Sequence, residues 1–217
     1  MGRLYRNIIL FVLPLVIIIA LVPLNKRFQY EGLKNDCFYH GLWFYDRLFD
    51  NKKPVDLAFL GSSQSIAGIN DKIVEKEMST TGLAIANFGY CRLGMNLNYI
   101  VLKEILKTKH PKLIIIEVRE DENRYSHPVF PFLGESEDVL FANPFFNRDL
   151  MSDIYKHLAF KTEIIQEMAF KKREVFYPSA EQFGFCPNDD TASEETLMNK
   201  MMAVSYTHLT LPTNREV

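Results

Sequence analysis

The sequence predicts an α/β fold: a parallel sheet with helices on its faces, carried on a single membrane helix. Three apolar, strand-like runs, at residues 55–60, 83–89 and 112–118, alternate with helix-like segments at 72–78 and 96–109. That alternation is the order of a parallel sheet, because parallel neighbours need a crossover connection between them. Each run ends in small or polar residues: Gly61, Ser62 and Ser63; Asn87 and Gly89; Glu117, Arg119, Glu120 and Asp121. In a parallel sheet these ends share one edge, and ligands bind outside the carboxyl ends of the strands.

The N-terminal part is the membrane element. Residues 7–24 carry no charge, and about 18 or more apolar residues suffice to span a bilayer as a helix. The run exceeds the roughly 7–15-residue core of a cleaved signal peptide, and no small-x-small site follows it, so residues 1–25 are expected to persist as an anchor. Pro14 is tolerated in such a helix, where neighbouring groups satisfy the freed carbonyl. Arg3 and Arg6 before the run balance Lys26, Arg27 and Lys34 after it, so charge does not fix the orientation. Residues 26–54 read as a juxtamembrane connector dense in aromatics, including Trp43, Phe44, Tyr45 and Phe49. It is expected as a helix that packs on the domain or lies at the lipid interface. His40 has no expected role.

The first strand stops at Gly61, and Ser62 or Ser63 is suited either to cap the next helix or to serve as a nucleophile or oxyanion-binding hydroxyl. Asn70 or Asp71 opens the following amphipathic segment, with Asp71 the expected N-cap. Leu97, Ile100, Val101, Ile105 and Leu106 fall at helical spacing within 96–109. After the third strand, residues 120–133 read as a loop carrying His127. A helix is expected over 149–172, closed by Lys171, Lys172 and Arg173, which suit its negative C-terminal end. Asp153 and His157 on it have the spacing of a surface i,i+4 pair. Residues 204–217 resemble translated sequencing-adapter sequence along their whole length and are read as non-native, with the native sequence breaking off near Ala203.

Gly61, Ser62, Ser63, Gln64 and Ser65 after a hydrophobic strand, then Asn87, Phe88 and Gly89 with Gly94 after the second, resemble the opening of the SGNH/GDSL-type hydrolases. The likeness is closer to their divergent membrane-anchored members, linked to acylation of cell-envelope polymers. It covers roughly residues 50–125, and its motifs are short. The resemblance implies a three-layer α/β/α domain with a parallel, flavodoxin-like sheet over residues 55–203, truncated at its C-terminal end. It implies Ser63 as nucleophile, with an oxyanion hole made by the Ser63 amide and Gly89 or Gly94. Asn123 stands in for the family's third-block asparagine. The aspartate usual between the glycine and the serine is Ser62 here. The family's base is a histidine in an Asp-x-x-His block, which this chain lacks; His127 is the histidine best suited to replace it. Ser62, Asn87, Glu117, Asp121 and His127 are the expected pocket residues.

The resemblance implies a serine esterase or O-acyltransferase acting on envelope glycopolymers, with its body outside the cytoplasm. Expected partners are the membrane, a glycopolymer or lipid-linked acyl donor, and a membrane acyltransferase. The alternative is a non-catalytic envelope protein that keeps the fold and binds a polymer or an acyltransferase. A third reading is a cytoplasm-facing α/β domain on a tether. The 217 residues, 47% of them hydrophobic, suffice for one domain with a core. A formal net charge of −2 argues against general nucleic-acid binding, which needs a basic patch. Cys37, Cys91 and Cys186 are too sparse for a disulfide framework or a metal motif, though one bridge is allowed in an exported body. Cys91 is expected as a small buried residue. No metal and no cofactor is expected.

Overall fold

Three parallel strands in the order β2–β1–β3 organise the domain, and every other described element is helical or a connection. The structure is a computed structural model, and it describes residues 2–33, 36–37, 40–119, 124–145, 147–170 and 184–185. The chain divides between Cys186 and Pro187, and all described residues belong to the first unit.

Helix α1 (Gly2–Leu21) is 20 residues long, about 30 Å at the α-helical rise. It is long and apolar enough to cross a membrane, and its large side chains lie exposed. Helices α2 (Lys26–Glu31) and α3 (His40–Tyr45) follow, and α3 continues as a π-helical turn over Asp46–Asp50. Of the two placements expected for the aromatic segment, packing on the domain is the one described. Tyr30, Trp43, Phe44 and Leu48 are buried in one cluster with Ala58, Leu60, Phe88 and Tyr90, so the segment belongs to the core of the domain. His40 is part of that core, stacked on Trp43 at 4.9 Å.

Strand β1 (Leu57–Gly61) leads into α4 (Ser63–Gly68) and α5 (Asp71–Glu77). Strand β2 (Ile85–Gly89), helix α6 (Met95–Thr108) and strand β3 (Leu113–Ile116) complete the alternation. Side chains alternate across a strand. Ala58 and Leu60 therefore join the large cluster with α6, while Leu57 and Phe59 pack with Ile85, Ile69, Val74 and Met78 on the other face. Register aligns Gly61 with Gly89 and Leu60 with Ile116, bringing all three carboxyl ends to one edge. β3 is apolar, yet Leu113, Ile115 and Ile116 are exposed, because β3 is an outer strand with only β1 beside it among the described residues.

Asn70, not Asp71, caps α5, its side chain accepting from the Ile73 N–H at 3.1 Å. Asp71 is fully buried instead, and its carboxylate accepts the backbone N–H groups of Asn87 at 2.9 Å and Gly184 at 2.8 Å. The strand's need for an acceptor there outweighs the local capping preference. The segment expected as a loop contains a short helix, α7 (Phe130–Leu133), followed by α8 (Ser136–Leu140) and α9 (Leu150–Phe170). Asp153 and His157 are not a surface pair. Each is 1% exposed: Asp153 accepts from Asn147, and His157 faces Ser136. The face of α9 that carries them packs against α7 and α8, which removes them from water. Residues 171–173 and 204–217 lie outside the described residues.

Candidate functional site at the carboxyl edge of the sheet

The site begins where β1 ends. Ser62 caps α4: its hydroxyl accepts the Gln64 N–H at 3.2 Å, satisfying one of the donors a helix start leaves open. The same hydroxyl donates to Glu117 Oε1 at 2.8 Å, and the Ser62 N–H donates to Oε2 at 2.9 Å. Ser65, one turn further on, donates to Oε2 at 2.7 Å. Glu117 is delivered by β3, its own N–H bonded to the Leu60 carbonyl at 2.9 Å. Burial works to raise the Glu117 pKa, but the hydrogen bonds from Ser65 and Ser62 outweigh it and hold the carboxyl below the usual range. Gly61 lets this cluster form. A Cβ there would run into Ser65 Oγ and come within 2.5 Å of Glu117 Oε2.

Ser63 is the first residue of α4 and is exposed. It thus stands one position past the serine that the Glu117 cluster consumes. Asn87, expected as a pocket residue, is fully buried behind the site. Its Nδ2 donates to the carbonyls of Ser65 and Ile69 at 2.8 and 2.7 Å, and its Oδ1 accepts the Gly89 N–H at 2.9 Å. The Gly89 amide, one of the expected oxyanion donors, is therefore engaged by its own strand's side chain. Gly94 sits at φ +146°, and a Cβ there would meet the His127 backbone nitrogen at 2.6 Å. Only glycine combines that dihedral with that approach.

His127 is 1% exposed. Nδ1 accepts the Val129 N–H at 3.1 Å, which makes Nε2 the protonated nitrogen, donating to the Cys91 carbonyl at 2.7 Å. Burial pushes its pKa down to about 4. With both nitrogens engaged, the ring holds the loop before α7 against the segment after β2, and it offers no free lone pair as a base.

Gly61, Ser62, Gly94, Glu117 and His127 nevertheless line one cleft, together with Tyr90, Arg92 and Arg119. The cleft is narrow, about 10 Å³, room for a single water. Asp121 and Asn123 lie outside the described residues. Arg92 is not suggested by the sequence pattern, while Ser65 and Arg119 fall in the motif and the polar strand end without an expected role. The three-residue spacing of Ser62 and Ser65, one turn of a helix, is the signal for Ser65. Among the described residues, no group of three or more His, Cys, Asp or Glu side chains converges as a metal site would require.

Cys91, at the rim of this region, is not a lone buried thiol. It forms a disulfide with Cys37, with Cα atoms 5.5 Å apart, tying the segment between α2 and α3 to the loop after β2. Compared with known proteins, the chain matches no family model, no curated protein and no solved structure.

Proposed function

We propose that this chain is a membrane-anchored α/β protein of the SGNH-like type, whose Ser63 carries out acyl-ester hydrolysis or O-acyl transfer on envelope glycopolymers. The observation that carries the reading is Ser63 itself: an exposed hydroxyl at the first turn of α4, just past the central strand, where a carbonyl substrate has access. Ser63 Oγ attacks the acyl carbon while the Ser63 and Gly94 amides receive the oxyanion, donors of a kind worth roughly 3–4 kcal/mol each. The donor's C–O bond breaks, its alkoxide leaves with the serine proton passed on by the base, and water or a glycopolymer hydroxyl then takes the acyl group from Ser63. A serine hydroxyl needs an adjacent base. His127 is committed elsewhere, so in this reading the base lies outside the described residues. Helices covering both faces of β1 are compatible with the three-layer, flavodoxin-like arrangement. The Cys37–Cys91 disulfide supports a body outside the cytoplasm, since disulfides persist in oxidising compartments.

The test is labelling of the full chain in detergent with a serine-directed fluorophosphonate. Label that maps to Ser63, and disappears in Ser63→Ala, supports the enzyme.

Two observations favour a second reading, a non-catalytic envelope protein that binds a polymer or a membrane acyltransferase. The Gly89 N–H is held by Asn87, and His127 is held by Cys91 and Val129. That reading expects no label on folded protein, and unchanged envelope function when Ser63→Ala is expressed at normal abundance.

A further inference from the structure

We propose that the cavity between the foot of α1 and helices α8 and α9 binds a phosphate-bearing group, with Lys161 and Ser136 as its polar floor. The cavity measures about 380 Å³ and is lined by residues 20–24, Lys26, Gln29, residues 134–137, His157 and Lys161. It is separate from the cleft lined by Ser62, Glu117 and His127, and the inference does not depend on the chemistry assigned to Ser63.

Lys161 is 3% exposed. Its ammonium donates to the Ala20 carbonyl at 2.7 Å and to Ser136 Oγ at 2.9 Å, both neutral oxygens. Among the described residues no carboxylate pairs with it. Glu135, on the cavity wall, is taken by Lys26, Lys103 and Lys107, and Lys26 itself pairs with Glu104 at 2.7 Å. Glu137 is exposed at the rim. A buried cation without a counter-charge is unfavourable. The partial negative charge at the C-terminal end of α1 offsets only part of that. One of the three ammonium N–H groups remains for a ligand.

Beside Lys161, the Ser136 hydroxyl can turn to donate to an anion. Ser136 Oγ lies 2.7 Å from the Ala20 carbonyl and 3.1 Å from His157 Nε2, so its proton can turn between partners. His157 Nδ1 donates to the Pro131 carbonyl at 2.8 Å, so the neutral ring turns its Nε2 lone pair to Ser136, and only the protonated ring would offer an anion an N–H. Burial lowers the pKa of both Lys161 and His157, the direction that an incoming anion would reverse. The location supplies the ligand class. Leu21 ends the one helix among the described residues that is long and apolar enough to span a bilayer, and lipid headgroup phosphates lie at that level.

The experiment uses the full chain, delipidated in dodecyl maltoside, and reads melting temperature while inorganic phosphate, phosphatidylglycerol or phosphatidylcholine is titrated. A saturable rise with a phosphate-bearing probe is expected. A rise with the lipids alone assigns a headgroup, and a rise with inorganic phosphate as well assigns the anion itself. Lys161→Met should weaken the response at least about tenfold, because a charge-assisted hydrogen bond is lost. It should still fold, since apolar replacement of a buried charge is tolerated. Ser136→Ala, which keeps the cation, should weaken the response by less, and Lys156→Met on the exposed face of α9 should leave it unchanged. No rise with any of the three probes, or an equal rise in Lys161→Met, overturns the proposal.

Discussion

Asn87 donates from Nδ2 to the Ser65 carbonyl at 2.8 Å, fastening β2 to the helix that presents Ser63. The same amide reaches the Ile69 carbonyl beyond the end of α4, and its oxygen holds the Gly89 N–H. One buried side chain thus sets the position of α4 over the edge of the sheet.

Asn87→Ala should therefore be costly. It leaves the Ile69 carbonyl and the Gly89 N–H without this partner, while the Ser65 carbonyl keeps the Ile69 N–H at 3.1 Å. At about 1–3 kcal/mol for each of these two groups, the loss should be at least about 2 kcal/mol. Urea unfolding of the protein in maltoside micelles measures it. A loss below about 1 kcal/mol would show that α4 is held mainly by something else.

Ser62→Ala and Ser63→Ala should separate cleanly in the same assay. Ser62 caps α4 and bonds Glu117, so its loss should cost about 1–2 kcal/mol. Ser63 is exposed at the first helical position, and its replacement should stay within about 0.5 kcal/mol. Equal costs would mean that the division between structural and available serine is wrong.

Much of this arrangement was legible in the residues. The alternation of β-branched runs with 3.6-spaced segments announces the parallel sheet, and the register brings the predicted polar ends together. What was not legible depends on partners distant in sequence. Nothing near Asn87 or Asp71 says that they bond each other's elements across 16 residues. Nothing near His127 says that the Cys91 carbonyl, 36 residues away, will occupy it. The aromatics of residues 26–54 suit a lipid interface as well as a core, and only their packing against Phe88 and Tyr90 decides. Asp153 and His157 look like a surface pair because the spacing describes a helix face without saying what covers it.

Stability should fall with acid in a window set by three buried histidines, His127, His40 and His157, each held below the usual histidine range by burial. Burial lowers the folded pKa of His127 to about 4 and of His40 to about 3, against an unfolded value near 6.5. Below about pH 6.5 the unfolded chain takes up protons that the folded one refuses. Stability is then full above that pH and declines down to about 4 for His127, and further for His40. Each histidine contributes a slope of up to about 1.4 kcal/mol per pH unit. Glu117 adds to the loss only at lower pH, because its carboxyl is held below the usual range and its stabilisation is lost as it protonates. Chemical denaturation from pH 7 to 4.5 should show the slope, and His127→Asn should reduce it by up to one proton's worth. An unchanged slope in that variant would place the titration elsewhere.

The Cys37–Cys91 bridge links residues 54 apart in sequence, and this joins a stability prediction to a topological one. A cross-link of that span removes enough freedom from the unfolded chain to stabilise by roughly 4 kcal/mol in the chain-entropy view. Cys91→Ser, or reduction under mild denaturation, should lower stability by a comparable amount. It should also loosen the loop after β2, where the Cys91 carbonyl anchors His127. In cells the bridge should exist only if the body is exported, because cytosolic thiols are kept reduced. Maleimide capture in acid-quenched cells discriminates the two. Cys37 and Cys91 should resist alkylation until a reductant is added, and externally applied protease should reach the body once the outer barrier is permeabilised. Free thiols at both positions, together with protease protection, would turn the body to the cytoplasm and remove the envelope polymer as substrate.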